Sequence, residues 1–217
     1  AAPLTMEELD LGYGFVLYHT HVSGPREELP VVLQDVHDRA HIYVNGKFMG
    51  IQYRNDKEPQ VKIAVPREGC DLDILVENMG RTNYGFNLMD RKGITEGIRL
   101  GQAFVYQWDH YPLGLTDLSK VEFKAGVPAF DGTPLLMRAT LKVEGKPEDT
   151  FVKLPGFKKG VIFVNGRILS RYWEVGPQHS AYLPAPFMKQ GDNEIIVLEL
   201  DGFDKPEALF DDTSDLD

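Results

Sequence analysis

His19 and His21 stand two residues apart, so both point to one face of any strand that carries them. A third ligand from His37 or His41 would complete a zinc or copper site. His-x-His alone is a weak signal, and polar residues on a partly exposed strand explain it as well, so no metal is expected. Carboxylates adjoin at Glu7 and Glu8, at Glu27 and Glu28, and at Asp211 and Asp212. Paired carboxylates suggest acid/base work. Neighbours along a strand diverge to opposite faces, however, and these pairs lie near turns or in the acidic C-terminal stretch, where solvated surface is the expectation. Gly12 and Gly14 have no helix after them to hold a phosphate, and no Ser-His-Asp set can be drawn. No catalytic residue and no cofactor are therefore expected within the chain. Four aromatics, Trp108, Tyr111, Tyr172 and Trp173, offer flat faces for stacking on sugar rings. Packing in a core or a domain interface is the competing reading, favoured by the predicted strands that adjoin both tryptophans. The stretch 78–85, NMGRTNYG, gathers Asn78, Arg81, Asn83 and Tyr84 around Gly80 and Gly85, which permit tight turns on either side. It is the strongest candidate for a functional loop.

The elements that must position these residues read as β throughout. The stretch 159–173, KGVIFVNGRILSRYW, places Asn165-Gly166 between two apolar runs, the local signature of a type I′ hairpin. The stretch 39–54, RAHIYVNGKFMGIQYR, repeats it around Asn45-Gly46. Each hairpin is followed by a late return strand, at 72–78 and at 193–200, so the chain reads as two copies of one β unit. Further strands are expected in 9–22, with Leu9, Leu11, Tyr13, Phe15 and Leu17 on one face, and in 31–36, 61–65, 103–108, 137–143, 151–154 and 180–183. Met137, Ala139, Leu141 and Val143 alternate with polar residues as a half-buried antiparallel strand should. Residues 78–101 read as one long loop. The fold expected is all-β, two antiparallel β-sandwich or jelly-roll domains in series. The first spans 1–114, a linker follows at 115–128, the second spans 129–201, and 202–217 forms a loosely held acidic tail.

Bulk composition agrees. With 21 glycines and 14 prolines in 217 residues, short strands and many turns are favoured over long helices. A formal net charge of −10 argues against a nucleic-acid partner, which needs a basic footprint. No apolar run approaches the length of a membrane span, so no membrane partner is expected. Cys70 is the one cysteine and rules out an intrachain disulfide. One cysteine fits cytosol, periplasm or secretion, with periplasm or secretion favoured. The opening residues, AAPLTMEELD, are neither basic nor apolar enough for a signal peptide and begin abruptly, almost on a strand, which suggests a processed or excised segment with more chain upstream.

Five stretches resemble the C-terminal β-domains of glycoside hydrolase family 35 β-galactosidases, in family order. They are TMEELDLGYGFVLY (5–18), LDILVENMGRTNYG (72–85), DRKGITEG (90–97), DTFVKLPGFKKGVIFVNG (149–166) and RYWEVGPQHSAYLP (171–184). The chain departs at 167–170: where many relatives carry Asn-Gly-Phe-Asn-Leu-Gly it has NGRILS (165–170), so a ligand contact made by that hairpin does not transfer. The resemblance implies a retaining exo-galactosidase whose (β/α)₈ barrel holds two glutamates, followed by two β-domains, the second galactose-binding-like. Retaining chemistry needs two carboxyls roughly 5–5.5 Å apart, and such a barrel takes about 250 residues. This chain is shorter than that and its strands fill it, so it should be inactive alone. The implied role is to buttress the barrel, its partner, and to complete the galactoside pocket. In the family the tyrosine of the Asn-Tyr-Gly motif reaches that pocket, which makes Tyr84, with Asn83, Arg81 and Asn78, the substrate-proximal set. Trp108, Trp173 and Tyr172 remain candidates for sugar stacking or a domain interface. The rival reading is a stand-alone carbohydrate-binding module.

Overall fold

Asn45 and Asn165 adopt the left-handed backbone that their turns demand, each with φ near +49°, and each is followed by a glycine at +74° to +76°. The computed structural model that shows this describes residues 2–216. Ala1 and Asp217, the outer ends of the expected first domain and tail, lie outside the described residues. The chain divides into two units, one up to Gly114 and one from Leu115.

In the first unit the strands are β1 (Phe15–Val22), β2 (Arg26–His37), β3 (Arg39–Val44), β4 (Lys47–Tyr53), β5 (Lys62–Val65), β6 (Cys70–Glu77), β7 (Gly93–Leu100), β8 (Ala103–Phe104) and β9 (Asp109–Leu113). They form a five-stranded sheet, β4-β3-β6-β1-β9, and a four-stranded sheet, β5-β2-β7-β8. The second unit holds β10 (Leu135–Val143), β11 (Thr150–Lys153), β12 (Lys159–Val164), β13 (Arg167–Trp173), β14 (Ser180–Leu183), β15 (Gly191–Glu199) and β16 (Leu209–Asp211). Its sheets run β10-β15-β12-β13 and β14-β11-β16. Among the described residues all strand pairings are antiparallel. Each unit closes over its own apolar core, one centred on Tyr18, Ile42, Ile74 and Ile98, the other on Val164, Ile162, Leu183 and Ile195. Among the described residues no helix is long and apolar enough to cross a membrane.

The internal repeat extends to fine detail. Both hairpins bulge at the same place, after Ile42 and after Ile162. Both turn asparagines reach the next strand: Asn45 Oδ1 accepts from Asp71 N at 2.8 Å, and Asn165 Oδ1 from Glu194 N at 3.0 Å. A buried base opens each hairpin, Arg39 and Lys159, and lies over the aromatic ring paired with it at the hairpin's end, Tyr53 at 5.3 Å and Trp173 at 4.6 Å. Each return strand closes on a buried glutamate, Glu77 on β6 and Glu199 on β15.

Several sequence expectations need correction. β1 begins at Phe15, because residues 6–10 form a turn in which Leu11 N donates to Met6 O. Its core-facing set is Val16, Tyr18, Thr20 and Val22, not the odd-numbered set. Within 78–101 the loop is shorter, since β7 occupies its second half; Gly93, at φ +96°, sits where a Cβ would meet the Tyr18 hydroxyl at 2.4 Å. Asp109–Leu113 is a strand at the sheet edge, where Pro112 costs no ladder bond. The acidic C-terminal stretch is not loosely held: β16 pairs with β11, and Phe203 and Phe210 pack on the second core.

Asn165→Ala should cost the second unit about 2–3 kcal/mol, from backbone strain and from the lost bonds to Glu194 N, Phe187 O and Asn193 Oδ1. Asn165→Gly relieves the strain and should cost roughly 1 kcal/mol less. Urea denaturation followed by far-ultraviolet circular dichroism checks this; equal losses in the two variants would remove backbone strain from the account.

Candidate functional site

The loop between β6 and β7 leaves the sheet at one point and returns to it through a buried charge network. Asp38, in the bend between β2 and β3, is the hub. Its Oδ2 accepts from Met79 N at 2.8 Å, where the loop departs. Its carboxylate also accepts from Lys92 Nζ at 2.8 and 2.9 Å, where the loop returns, and from Arg54 Nη1 at 2.8 Å. Asp90 doubles the tie, accepting from Arg54 at 2.8 and 3.1 Å and from Lys92 at 3.0 Å. His37 bridges Asp90 at 3.1 Å and Asp35 at 2.9 Å. The Arg54 guanidinium holds the Asp90 carboxyl far below the usual carboxylate range, against the upward push of burial and with help from Lys92.

From this fixed base the loop projects. Asn78 is buried and spends its amide on Gly12 O and Gly80 N, at 3.2 and 2.9 Å. Arg81 is a brace: Nη1 meets Glu7 at 2.5 Å, and Nε and Nη2 donate to the carbonyls of Gly12 and Leu11. Beyond Arg81 the chain is bare. Asn83 is exposed, Tyr84 is 88% exposed, and a short 3₁₀ turn, Phe86–Met89, presents Phe86 fully, Leu88 in large part and Met89 at 91%. An apolar cluster of this kind on a tip leaves large apolar side chains in contact with water.

The second unit has no such loop but carries a cleft of about 400 Å3 lined by Phe157, Tyr172 and Trp173 together with polar side chains. Tyr172 is fixed, its hydroxyl lying 2.9 Å from Leu198 O and 2.8 Å from Glu199, with its one proton shared between the two acceptors. Burial pushes the Tyr172 phenol well above its ordinary range, and the Glu199 carboxylate adds to the shift. Glu199 also accepts from the backbone N–H groups of Lys158, Lys159, Asp201 and Gly202. Burial still raises its carboxyl above the ordinary value.

Residues 3–114 match the family model described as "Beta-galactosidase, first all-beta domain", and residues 134–193 match "Beta-galactosidase, galactose-binding domain". The chain belongs to the β-galactosidase family. Curated relatives of the chain include the beta-galactosidase-1-like protein of Mus musculus, 38% identical over 92% of the chain and 32% of that protein. Beta-galactosidase 1 of Dictyostelium discoideum is 35% identical over 91% of the chain and 32% of its own length. The beta-galactosidase of Xanthomonas manihotis is 35% identical over 83% and 30%. The chain thus spans about a third of the relatives it matches.

Placed on this fold, the sequence candidates separate. Tyr84 and Asn83 stand on the bare tip, while Asn78 and Arg81 secure its base. Trp108 is core, with its indole N–H donating to Val105 O at 2.8 Å, so it offers no face to a sugar. Tyr111 is exposed on the edge strand β9. Tyr172 and Trp173 meet in the cleft. His19 and His21 are spent singly on cross-strand partners, Asp73 at 2.7 Å and Asp71 at 2.8 Å. Among the described residues no group of three His, Cys, Asp or Glu side chains is placed to hold a metal. Glu8 caps the turn at Thr5, and Asp211 pairs with Lys153. Sequence reading missed Phe86, Leu88 and Met89. The available signal was an apolar cluster, without helical or strand period, inside a glycine-bounded loop.

Because the Asp90 carboxyl is held low in the fold, its contribution is complete above the unfolded value near pH 4 and is lost as the pH falls toward the folded one. Asp90→Asn should therefore cost the first unit about 1–3 kcal/mol at neutral pH, and the gap to wild type should narrow below about pH 4. Urea titrations at several pH values check this; a gap that stays flat down to pH 3 would deny Asp90 the role.

Proposed function

We propose that this chain is the non-catalytic C-terminal β-region of a retaining exo-β-galactosidase, that its first unit docks on the catalytic barrel through the loop tip, and that Tyr84 completes the rim of the galactoside pocket. The observation that carries the reading is the bare tip of Tyr84, Phe86, Leu88 and Met89 on a rigid base, in a chain that spans about a third of its β-galactosidase relatives. A loop meant only for solvent has no use for four large apolar side chains, nor for a buried ionic clamp under them. A tyrosine on such a tip presents a flat ring and one hydroxyl, suited to a sugar ring or a catalytic carboxylate. The second reading, a carbohydrate-binding module that works without a barrel, draws on the galactose-binding family model over residues 134–193.

The chain alone should not hydrolyse a chromogenic galactoside; turnover abolished by a point mutation within these residues would refute the reading. In the full-length enzyme, Tyr84→Phe should lower kcat/KM by roughly 5- to 150-fold, the equivalent of about 1–3 kcal/mol for one hydrogen bond strengthened in the transition state. The melting temperature should not move, since an exposed side chain loses only a hydroxyl. Unchanged kcat/KM would leave the tip as a docking element with no part in the pocket.

A further inference from the structure

The second unit leaves one long sheet edge open. β10 has a single neighbour, β15, and pairs with it over nine residues without a break in register. We propose that this edge takes up an added β-strand from a separate protein, an extended segment that alternates apolar and acidic residues. The inference goes beyond the docking of the first unit on a barrel and stands or falls separately from it.

The other edges among the described residues are each blunted, as exposed edges in stable folds are. β9 carries Pro112. β4 and β13 bulge, at Met49 and at Leu169. β5 and β14 have four residues, β16 three and β8 two. β10 has no proline, no glycine and no bulge. Its backbone is oriented for pairing. Asn165 N donates to Glu194 O, so the even-numbered residues of β15 face β12, and the odd-numbered ones bond to the odd-numbered residues of β10. The N–H and C=O groups of Leu136, Arg138, Thr140 and Lys142 therefore face outward, and among the described residues no hydrogen bond engages them. Arg138, Thr140 and Lys142 are also exposed.

The two faces of the strand define the partner. Met137 and Leu141 pack on the second core, so an added strand continues that face with apolar side chains. The opposite face carries Arg138 and Lys142. Arg138 lies 3.8 Å from Glu194 with its guanidinium over the Phe123 ring, and Lys142 has no ion pair among the described residues. Carboxylates across the strand from them complement this charge. A second copy fits badly, since antiparallel self-pairing about Ala139 gathers Arg138 and Lys142 of both chains on one face, like charge beside like. The net charge of −10 gives an acidic segment no long-range attraction, so recognition happens at contact.

The test adds a synthetic peptide of ordinary strand length, Leu-Glu-Val-Thr-Val-Glu-Leu with blocked ends, to the ¹⁵N-labelled 217-residue chain and follows amide hydrogen exchange. Without peptide, the amides of Leu136, Arg138, Thr140 and Lys142 should exchange fast and those of Met137, Ala139 and Leu141 slowly. At saturation the peptide should slow the first set by about tenfold or more, with a dissociation constant on the order of 0.1 mM. Protection at alternate residues belongs to strand addition and to no side-chain contact. The same chain should refuse a peptide with lysine for glutamate, and one with proline at its centre. Arg138→Glu combined with Lys142→Glu changes only exposed side chains and should reverse the preference toward the lysine peptide. Thr140→Pro removes one outward N–H and no ladder bond, and should weaken binding by about tenfold. Fast exchange at the even-numbered positions with about 1 mM peptide, equal binding of the lysine peptide, or a dimer in sedimentation whose β10 amides are protected without peptide would each overturn the proposal. So would protection of residues 136–142 already present in the full-length enzyme, read by mass spectrometry, since the edge would then be held within one protein. None of these results bears on Tyr84, whose test is kinetic.

Discussion

A buried carboxylate closes the return strand of each sandwich, and around Glu199 it holds the second one in register. Glu77 and Glu199 close β6 and β15, next to the strands that open with Arg39 and Lys159. A buried acid is costly unless donors converge on it. Around Glu199 four backbone N–H groups and one phenol do so, which fixes the start of β12, the turn after β15 and the end of β13 at a single point. The hairpin cannot slide along the return strand without stranding that charge. The base stacked on an aromatic ring at the far end of the hairpin closes the same corner from the other side.

With register secured, the first unit can support a long excursion between β6 and β7. The clamp of Asp38, Lys92, Arg54 and Asp90 lies directly past the Glu77 corner, since Asp38 N donates to Glu77 O. Order is thus handed from the core strand to the loop base, and beyond Arg81 the tip carries Tyr84, Phe86, Leu88 and Met89 exposed. The second unit has no comparable excursion and instead leaves a concavity beside its own corner. One scaffold used twice therefore offers two kinds of surface, a projecting one and a recessed one.

Much of this was legible in the sequence, and what was legible is local. Asn-Gly at 45–46 and 165–166 announces its turn because only residues tolerant of positive φ fit there. The repeat, the all-β class and the family resemblance followed. What stayed hidden depends on contacts remote in sequence. β7 carries Gly93 and Gly97, which break the alternation; the first is required by the Tyr18 hydroxyl, a residue 75 positions away. The tail looked too acidic to fold, yet Leu209 and Phe210 find β11. Asn78 and Arg81 look like binding residues by type, and only the three-dimensional path of residues 11–14 shows that they brace the loop. Trp108 and Trp173 look alike on paper, and their surroundings assign one to a core and the other to a cleft.

That last division has a practical side. The chain has two tryptophans, and each unit holds one of them. Trp108 sits in an apolar core with its N–H on a carbonyl, whereas Trp173 is half-buried with an ammonium over its ring. Their emission should differ in wavelength and in sensitivity to a soluble quencher, bluer and shielded for the first, redder and accessible for the second. One fluorescence spectrum therefore carries a separate reporter for each sandwich, and the order in which the two lose structure under denaturant can be read without cutting the chain.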